Sequence, residues 1–286
     1  MASGIVIVDK PAGWTSMDVC AKLRGLFQER RVGHAGTLDP MATGVLPVFV
    51  GRATRAVEFA AGGDKEYVAG LRLGMVTDTQ DVTGTVLDTR PAQVSPQELE
   101  GVLARFRGEI QQIPPMYSAV KLGGQKLYEL ARKGRQVERP PRAVTIHALE
   151  VLGRDGEDYL LRVRCSKGTY VRTLCHDIGA ELGCGGCMSS LRRTMAAGYT
   201  LDDAVELDQL LALPDPAGRL LPVDSCFAHL PALTLTPAQA RRVRNGGTFS
   251  FAQEGVWRVY DPAGAFLAVC RGAQGRLMTI KSFFEV

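Results

Sequence analysis

The segment Gly33-His34-Ala35-Gly36-Thr37-Leu38-Asp39-Pro40-Met41-Ala42-Thr43-Gly44-Val45-Leu46-Pro47 gathers one histidine, one aspartate and three glycines between stretches of ordinary folding pattern. Glycine permits positive φ or close backbone approach, so this loop can take shapes that side chains forbid. Asp39 stands at its middle, and Pro40 disfavours helix at the preceding residue, which suits a carboxylate projecting from a stiffened turn. A carboxylate held in this way could act as a nucleophile. Asp-Pro among glycines is also the pattern of a plain turn, and spacing alone favours that reading. A second set of candidates follows Cys165: Ser166-Lys167-Gly168-Thr169-Tyr170-Val171-Arg172-Thr173 places an aromatic ring and a guanidinium two residues apart. A guanidinium near a carboxylate favours its ionised form, although an ordinary surface ion pair would contribute little.

Metal chemistry finds weak support. Asp78 and Asp81 lie three apart in a turn-rich stretch, but no glutamate follows at calcium-loop spacing, and they read as capping carboxylates. Cys184-Gly-Gly-Cys187 has metal-like spacing without a convincing second pair of ligands, and reads as a glycine-rich turn. The seven cysteines are odd in number and scattered, as reduced thiols are.

The elements that must position these groups can be read from periodicity and caps. Gly4 to Asp9 reads as a short buried strand. A helix capped by Thr15 or Ser16 follows, with Val19, Leu23 and Leu26 or Phe27 on one face. Gly44 to Val50 is an apolar stretch, and Ala53 to Ala61 reads as a helix. Lys65 to Leu73 alternates like a half-buried strand, with Tyr67 on the face opposite Glu66. Ser95-Pro96-Gln97-Glu98 is a strong helix start, and that helix runs to about Arg107 and stops at Gly108. Leu127 to Ala131 forms a short amphipathic helix, Ala143 to Leu152 and Tyr159 to Cys165 are strands, and Thr173 to Leu182 has helical spacing. The tail reads as a helix and then strands at Gly255 to Tyr260, Ala265 to Cys270 and Leu277 to Ile280.

Composition bounds the class. The 286 residues suffice for one large domain and a small companion, and 45% hydrophobic content supports a well-buried core. The longest early apolar run, Ile5 to Val8, is too short for a membrane span or a signal core, so a cytoplasmic protein is expected. Net charge is only +4, yet Lys121 to Arg142 carries seven basic residues against two glutamates, the footprint of a phosphate-binding segment. A solvated basic helix face is the bland alternative. Asp202 to Asp224 is acidic and proline-containing, and the balance reverses in the tail, which marks a domain boundary.

Five separated motifs agree on one resemblance. His34-Ala-Gly-Thr-Leu-Asp39-Pro-Met-Ala-Thr-Gly44, Lys10-Pro-Ala-Gly-Trp-Thr-Ser16, Gln111 to Lys121, Lys167-Gly-Thr-Tyr-Val-Arg172 and Leu191-Arg-Arg-Thr194 are similar to motifs of the TruB family of tRNA pseudouridine synthases, as is the local Lys65-Glu-Tyr67. The resemblance implies an α+β fold: a large mixed, mainly antiparallel sheet flanked by helices over residues 1–225, with a basic RNA-contacting insertion at 115–143. A small PUA-like β-barrel is implied at 226–286, where the match is looser.

By the same resemblance the activity is isomerisation of uridine-55 in the tRNA T-loop. It implies catalytic roles for Asp39, Tyr67 and Arg172, and substrate contacts for His34, Tyr67, Tyr170, Leu191, Lys10 and Lys121. No cofactor and no metal are implied, the partner is the tRNA T-arm, no membrane is involved, and the chain acts as a monomer. A base that must detach and turn has to be flipped from its stack, at a cost of a few kcal/mol. A catalytic subunit of an RNA-guided synthase, a tRNA-folding chaperone and a base-cleaving glycosidase are the competing readings.

Overall fold

The computed structural model describes residues 2–284; residues 285–286 of the expected tail module lie outside them. Along the chain run β1 (Gly4–Lys10), α1 (Ser16–Phe27), β2 (Val32–His34), β3 (Thr43–Val50), α2 (Val57–Ala60), β4 (Lys65–Leu73), β5 (Met75–Thr77), β6 (Val86–Thr89), α3 (Pro96–Leu103) and β7 (Gly108–Gln112). There follow β8 (Lys121–Leu122), β9 (Gln125–Lys126), α4 (Leu127–Ala131), β10 (Arg142–Asp155), β11 (Asp158–Cys165), α5 (Val171–Glu181), β12 (Gly186–Ala196), β13 (Tyr199–Thr200), β14 (Val205–Glu206) and α6 (Leu207–Ala212). The tail holds β15 (Ala232–Thr234), α7 (Pro237–Arg244), β16 (Phe249–Ser250), β17 (Gly255–Tyr260), β18 (Phe266–Ala273) and β19 (Arg276–Ser282).

A ten-stranded sheet runs β14-β1-β3-β12-β4-β11-β10-β7, with β2 paired to β3 and β13 to β12. The β1–β14 and β3–β12 pairs are parallel and the others antiparallel, so the sheet is mixed and mainly antiparallel, as expected. Local chemistry sets the helix starts. Thr15 and Ser95 each accept a hydrogen bond from the backbone N–H three residues on, while Asp18 and Glu98 reach back to the cap N–H. Val19, Leu23 and Phe27 of α1 pack on β1 and β3. Leu99 and Leu103 of α3, with Leu174 and Ile178 of α5, cover the β4–β11–β10 part of the sheet.

Three segments differ from the sequence expectation. Residues 51–60 form a 3-10 helix followed by a single α turn, not one continuous helix. Met75–Thr77 and Val86–Thr89 make a small hairpin that the polar, turn-rich sequence concealed. Residues 186–196 form the central strand β12, with Arg193 fully buried where a strand core usually carries an apolar side chain.

The second sheet runs β15-β17-β18-β19-β16 and is PUA-like. Helix α7 lays Ala240 and Val243 on Val259, Leu267, Ala268 and Leu277. The two sheets share an aromatic cluster in which Phe227 touches Phe59, Phe266 and Phe283, with ring centroids 5.3, 5.9 and 5.6 Å away. All seven cysteines are buried and free, and burial pushes Cys20, Cys165, Cys187, Cys226 and Cys270 up to about 11.

Candidate active site

Asp39 lies on the loop joining β2 to β3, two strands held side by side from Val32↔Val50 to His34↔Val48. Buried contacts fix the loop from beneath. Ser16 Oγ accepts from Leu38 N at 2.9 Å and donates back to Leu38 O at 3.3 Å, and Gly13 N donates to Pro40 O at 2.8 Å. Lys10 is fully buried and donates to Pro11 O, Trp14 O and Pro40 O at 2.8, 2.7 and 3.3 Å. Burial pushes its ammonium down to about 8, opposed by Asp39 and helped by Arg193. Lys10 is therefore no solvated strand end; its three donors tie two loops together.

Arg193 holds the opposite side, donating Nε to Val45 O at 2.7 Å and Nη2 to Gly36 O at 3.0 Å. Two glycines admit this arrangement: Gly36 and Gly44 have φ of +91° and +102°, and a Cβ on Gly44 would stand 2.2 Å from Arg193 O. Gly33 sits in β2 and has no such demand.

The Asp39 carboxylate receives Arg172 Nη2 at 3.3 Å on one oxygen and 3.2 Å on the other. Arg172 is buried in the first turn of α5, and its Nη2 also donates to Tyr117 O at 2.9 Å. Its Nη1 lies 3.7 Å from Asp81 Oδ2. The guanidinium thus faces two carboxylates. Asp81, also buried, accepts at Oδ1 from Thr79 Oγ1 and from the Thr83 N–H and hydroxyl, the loop-capping role read from sequence. Its place beside Arg172 was not foreseen. Burial pushes Asp39 above the usual carboxylate range; Arg172 opposes this, Asp81 adds to it, and Lys10 opposes it more weakly.

Two adjoining cavities open on this carboxylate. The smaller, about 110 Å³, is lined by Leu38, Asp39, Tyr67, Tyr170, Arg172, Met188 and Leu191 among others. The larger, about 730 Å³, runs from Asp39 past Thr79, Asp81 and Thr83 to Tyr117, Tyr128 and Arg132 of the insertion. Tyr67 enters from β4 directly across from Arg193 in β12, and Leu191 stands two residues before that position on β12. Burial raises the Tyr67 phenol, and Arg193 opposes the rise by charge and by a hydrogen bond.

Sequence reasoning therefore names five residues that meet at one place: Asp39, Tyr67, Tyr170, Arg172 and Leu191. The other three stand apart. His34 lies at the end of β2, outside the lining of both cavities, half-buried and with its Nδ1 lacking a hydrogen-bond partner. Burial, then Arg193, push its imidazolium down. Lys121 is exposed on β8 and lines a separate small cleft with Leu127 and Arg139. Lys10 lies beneath the loop. Three residues have geometric roles that the sequence did not show: Asp81 was read only as a loop cap, and Gln112 and Arg193 only as members of their motifs, and each of these roles is defined by partners distant in sequence. Among the described residues no group of His, Cys, Asp and Glu could hold a metal ion.

Residues 24–171 match the model of the TruB family pseudouridylate synthase (N terminal domain), 172–228 that of the tRNA pseudouridylate synthase B C-terminal domain, and 230–284 that of tRNA Pseudouridine synthase II, C terminal. The tRNA pseudouridine synthase B of Azoarcus sp. (strain BH72) is 45% identical over 280 residues, covering 97% of this chain and 93% of that protein. That of Syntrophomonas wolfei subsp. wolfei (strain DSM 2245B / Goettingen) is 45% identical over 276 residues, with 93% and 92% covered. Among solved structures, a chain of a Cbf5-Nop10-Gar1 complex superposes with a TM-score of 0.76 and 26% identity, over 98% of this chain and 85% of that one.

Proposed function

This chain belongs to the TruB family of pseudouridylate synthases, and from that membership we propose that it isomerises uridine-55 in the T-loop of tRNA to pseudouridine, acting as a cytoplasmic monomer on the T-arm. The observation that carries the reading is a small cavity of about 110 Å³ with a carboxylate, a guanidinium, two tyrosines and a leucine on its walls. Its size is on the scale of the roughly 150 Å³ that takes a benzene ring, so it suits one flipped pyrimidine. The larger cavity suits the nucleotides on either side.

In this reading the N1–C1′ bond breaks, the uracil turns within the small cavity, C5 joins C1′, the C5 proton departs to solvent, and N1, freed of the sugar, takes up a proton. Asp39 acts on the nucleotide in its ionised form, which Arg172 favours by charge; attack on the substrate and a glycal-like route both draw on this carboxylate. Tyr67, Tyr170 and Leu191 hold the base flat while it is detached. The buried walls Leu38, Tyr67, Arg172 and Met188 limit the water that reaches the freed base, which separates isomerisation from hydrolytic loss of uracil. His34 contacts the disrupted RNA loop, Lys10 serves through the Pro40 carbonyl, and Lys121 meets phosphate with the exposed insertion.

The test is tritium release from an unmodified tRNA transcript labelled at uracil C5, with purified wild type and Asp39→Asn. Release by wild type alone, with RNA binding kept by the variant, is the expected result. Binding without release by either protein would turn the reading toward a folding chaperone or a partner-dependent subunit. Free uracil among the products would turn it toward a glycosidase.

A further inference from the structure

Gln112 is the last residue of β7, three positions before the insertion, and it is 2% exposed. Its carboxamide spends both ends on one residue: Nε2 donates to Tyr170 O at 3.0 Å, and Oε1 accepts from Tyr170 N at 2.8 Å. Only one orientation of the amide satisfies both partners, since Tyr170 offers one donor and one acceptor. The exchange copies what a neighbouring strand would do for an extended residue, and Tyr170 is extended, with φ −103° and ψ 106°. Tyr170 precedes α5 and has no side-chain cap of its own. Five residues beyond Gln112, Tyr117 O accepts from Arg172. The root of the insertion therefore grips the pocket wall at 170 and the cation at 172.

We infer that Gln112 is a positioning residue for Tyr170: its carboxamide fixes the backbone from which the Tyr170 ring lines the base cavity, and ties that ring to the root of the insertion. The inference rests on the reading of Tyr170 as a wall of the base pocket. It concerns geometry during turnover and not RNA capture, because the buried amide itself meets no solvent-facing surface.

Single-turnover tritium release and tRNA affinity of the full chain test it, with Gln112→Ala, Gln112→Glu and Tyr170→Ala. Misplacing a pocket wall slows the bound reaction, so Gln112→Ala is expected to lose about tenfold or more in rate while its tRNA Kd stays within about threefold of wild type. Gln112→Glu keeps the volume and supplies a pH signature. Protonated, the new side chain donates to Tyr170 O as the amide does; ionised, it sets a negative oxygen against that carbonyl. Its rate relative to wild type should climb as pH falls from about 8 to 6, a rise that Gln112→Ala, with no titrating group there, does not show.

A Gln112→Ala rate within about twofold of wild type overturns the inference, as does a Gln112→Glu ratio that is flat with pH. If Tyr170→Ala also turns over at the wild-type rate, the pocket reading itself has failed. If only Gln112→Ala does so, the coupling alone has failed.

Discussion

Asp39 sits between a cation that favours its charge and an anion that opposes it, and burial, to which the anion adds, outweighs the cation. The sign of the pH dependence follows. A carboxyl raised above its ordinary value loses charge as pH falls through that higher value, so the acid limb of turnover should lie above the usual carboxylate range. Replacing Asp81 with asparagine removes an anion and should move that limb to lower pH. Replacing Arg172 with methionine should move it toward neutrality, whatever either change does to the plateau rate. Profiles of kcat against pH for the two variants decide this, and shifts in the same direction would refute the arrangement. The central carboxylate, its arginine and the aromatic walls were legible because they lie inside contiguous motifs. The geometric roles of Asp81, Gln112 and Arg193 were not, although the last two lie inside such motifs, because a buried polar group is defined by the partner it satisfies, and those partners lie up to 157 residues away.

Among the elements, caps and alternation were the reliable guides. The α3 start was readable as a Ser95–Glu98 capping box and the α1 start as a cap at Thr15 or Ser16; the structure closes both with reciprocal bonds, Thr15–Asp18 and Ser95–Glu98, which need only four consecutive residues. Strand β12 was hidden by its own duties: Leu191 faces the cavity and Arg193 props the loop, so its pattern is not that of a plain apolar core strand. The insertion was expected from its charge. In the structure Lys126 and Arg132 each lie 5.4 Å from the Tyr128 ring centre, and Arg132, Lys133 and Arg135 are exposed around the end of α4. Reversing those three charges together should weaken tRNA binding and flatten the slope of log Kd against log salt by about two to three units, as expected for lost phosphate contacts. Titrations at several salt concentrations measure it; an unchanged slope removes the segment from the interface.

At the scale of the whole molecule, the second sheet is joined to the first through a core and not through a tether. Phe227 is 1% exposed at the centre of that joint, and the Tyr260 hydroxyl donates to Asp224 at 2.7 Å beside it. Phe227→Ala should lower stability by about 3–5 kcal/mol, the range for losing a fully buried aromatic. Because the ring belongs to both units, denaturant melts followed by Trp14 in one and Trp257 in the other should shift together. A shift confined to one tryptophan would mean that the units unfold independently. The reversal of charge gave the expected boundary, but nothing in the sequence announced the aromatic joint, since its four rings come from residues 59, 227, 266 and 283. The burial of every cysteine has a practical corollary. A protein whose native thiols are all buried is already a background for single-site labelling, so in Gln136→Cys, at an exposed position, the new thiol would be the one a maleimide dye reaches, and fluorescence from it would follow the insertion as RNA arrives.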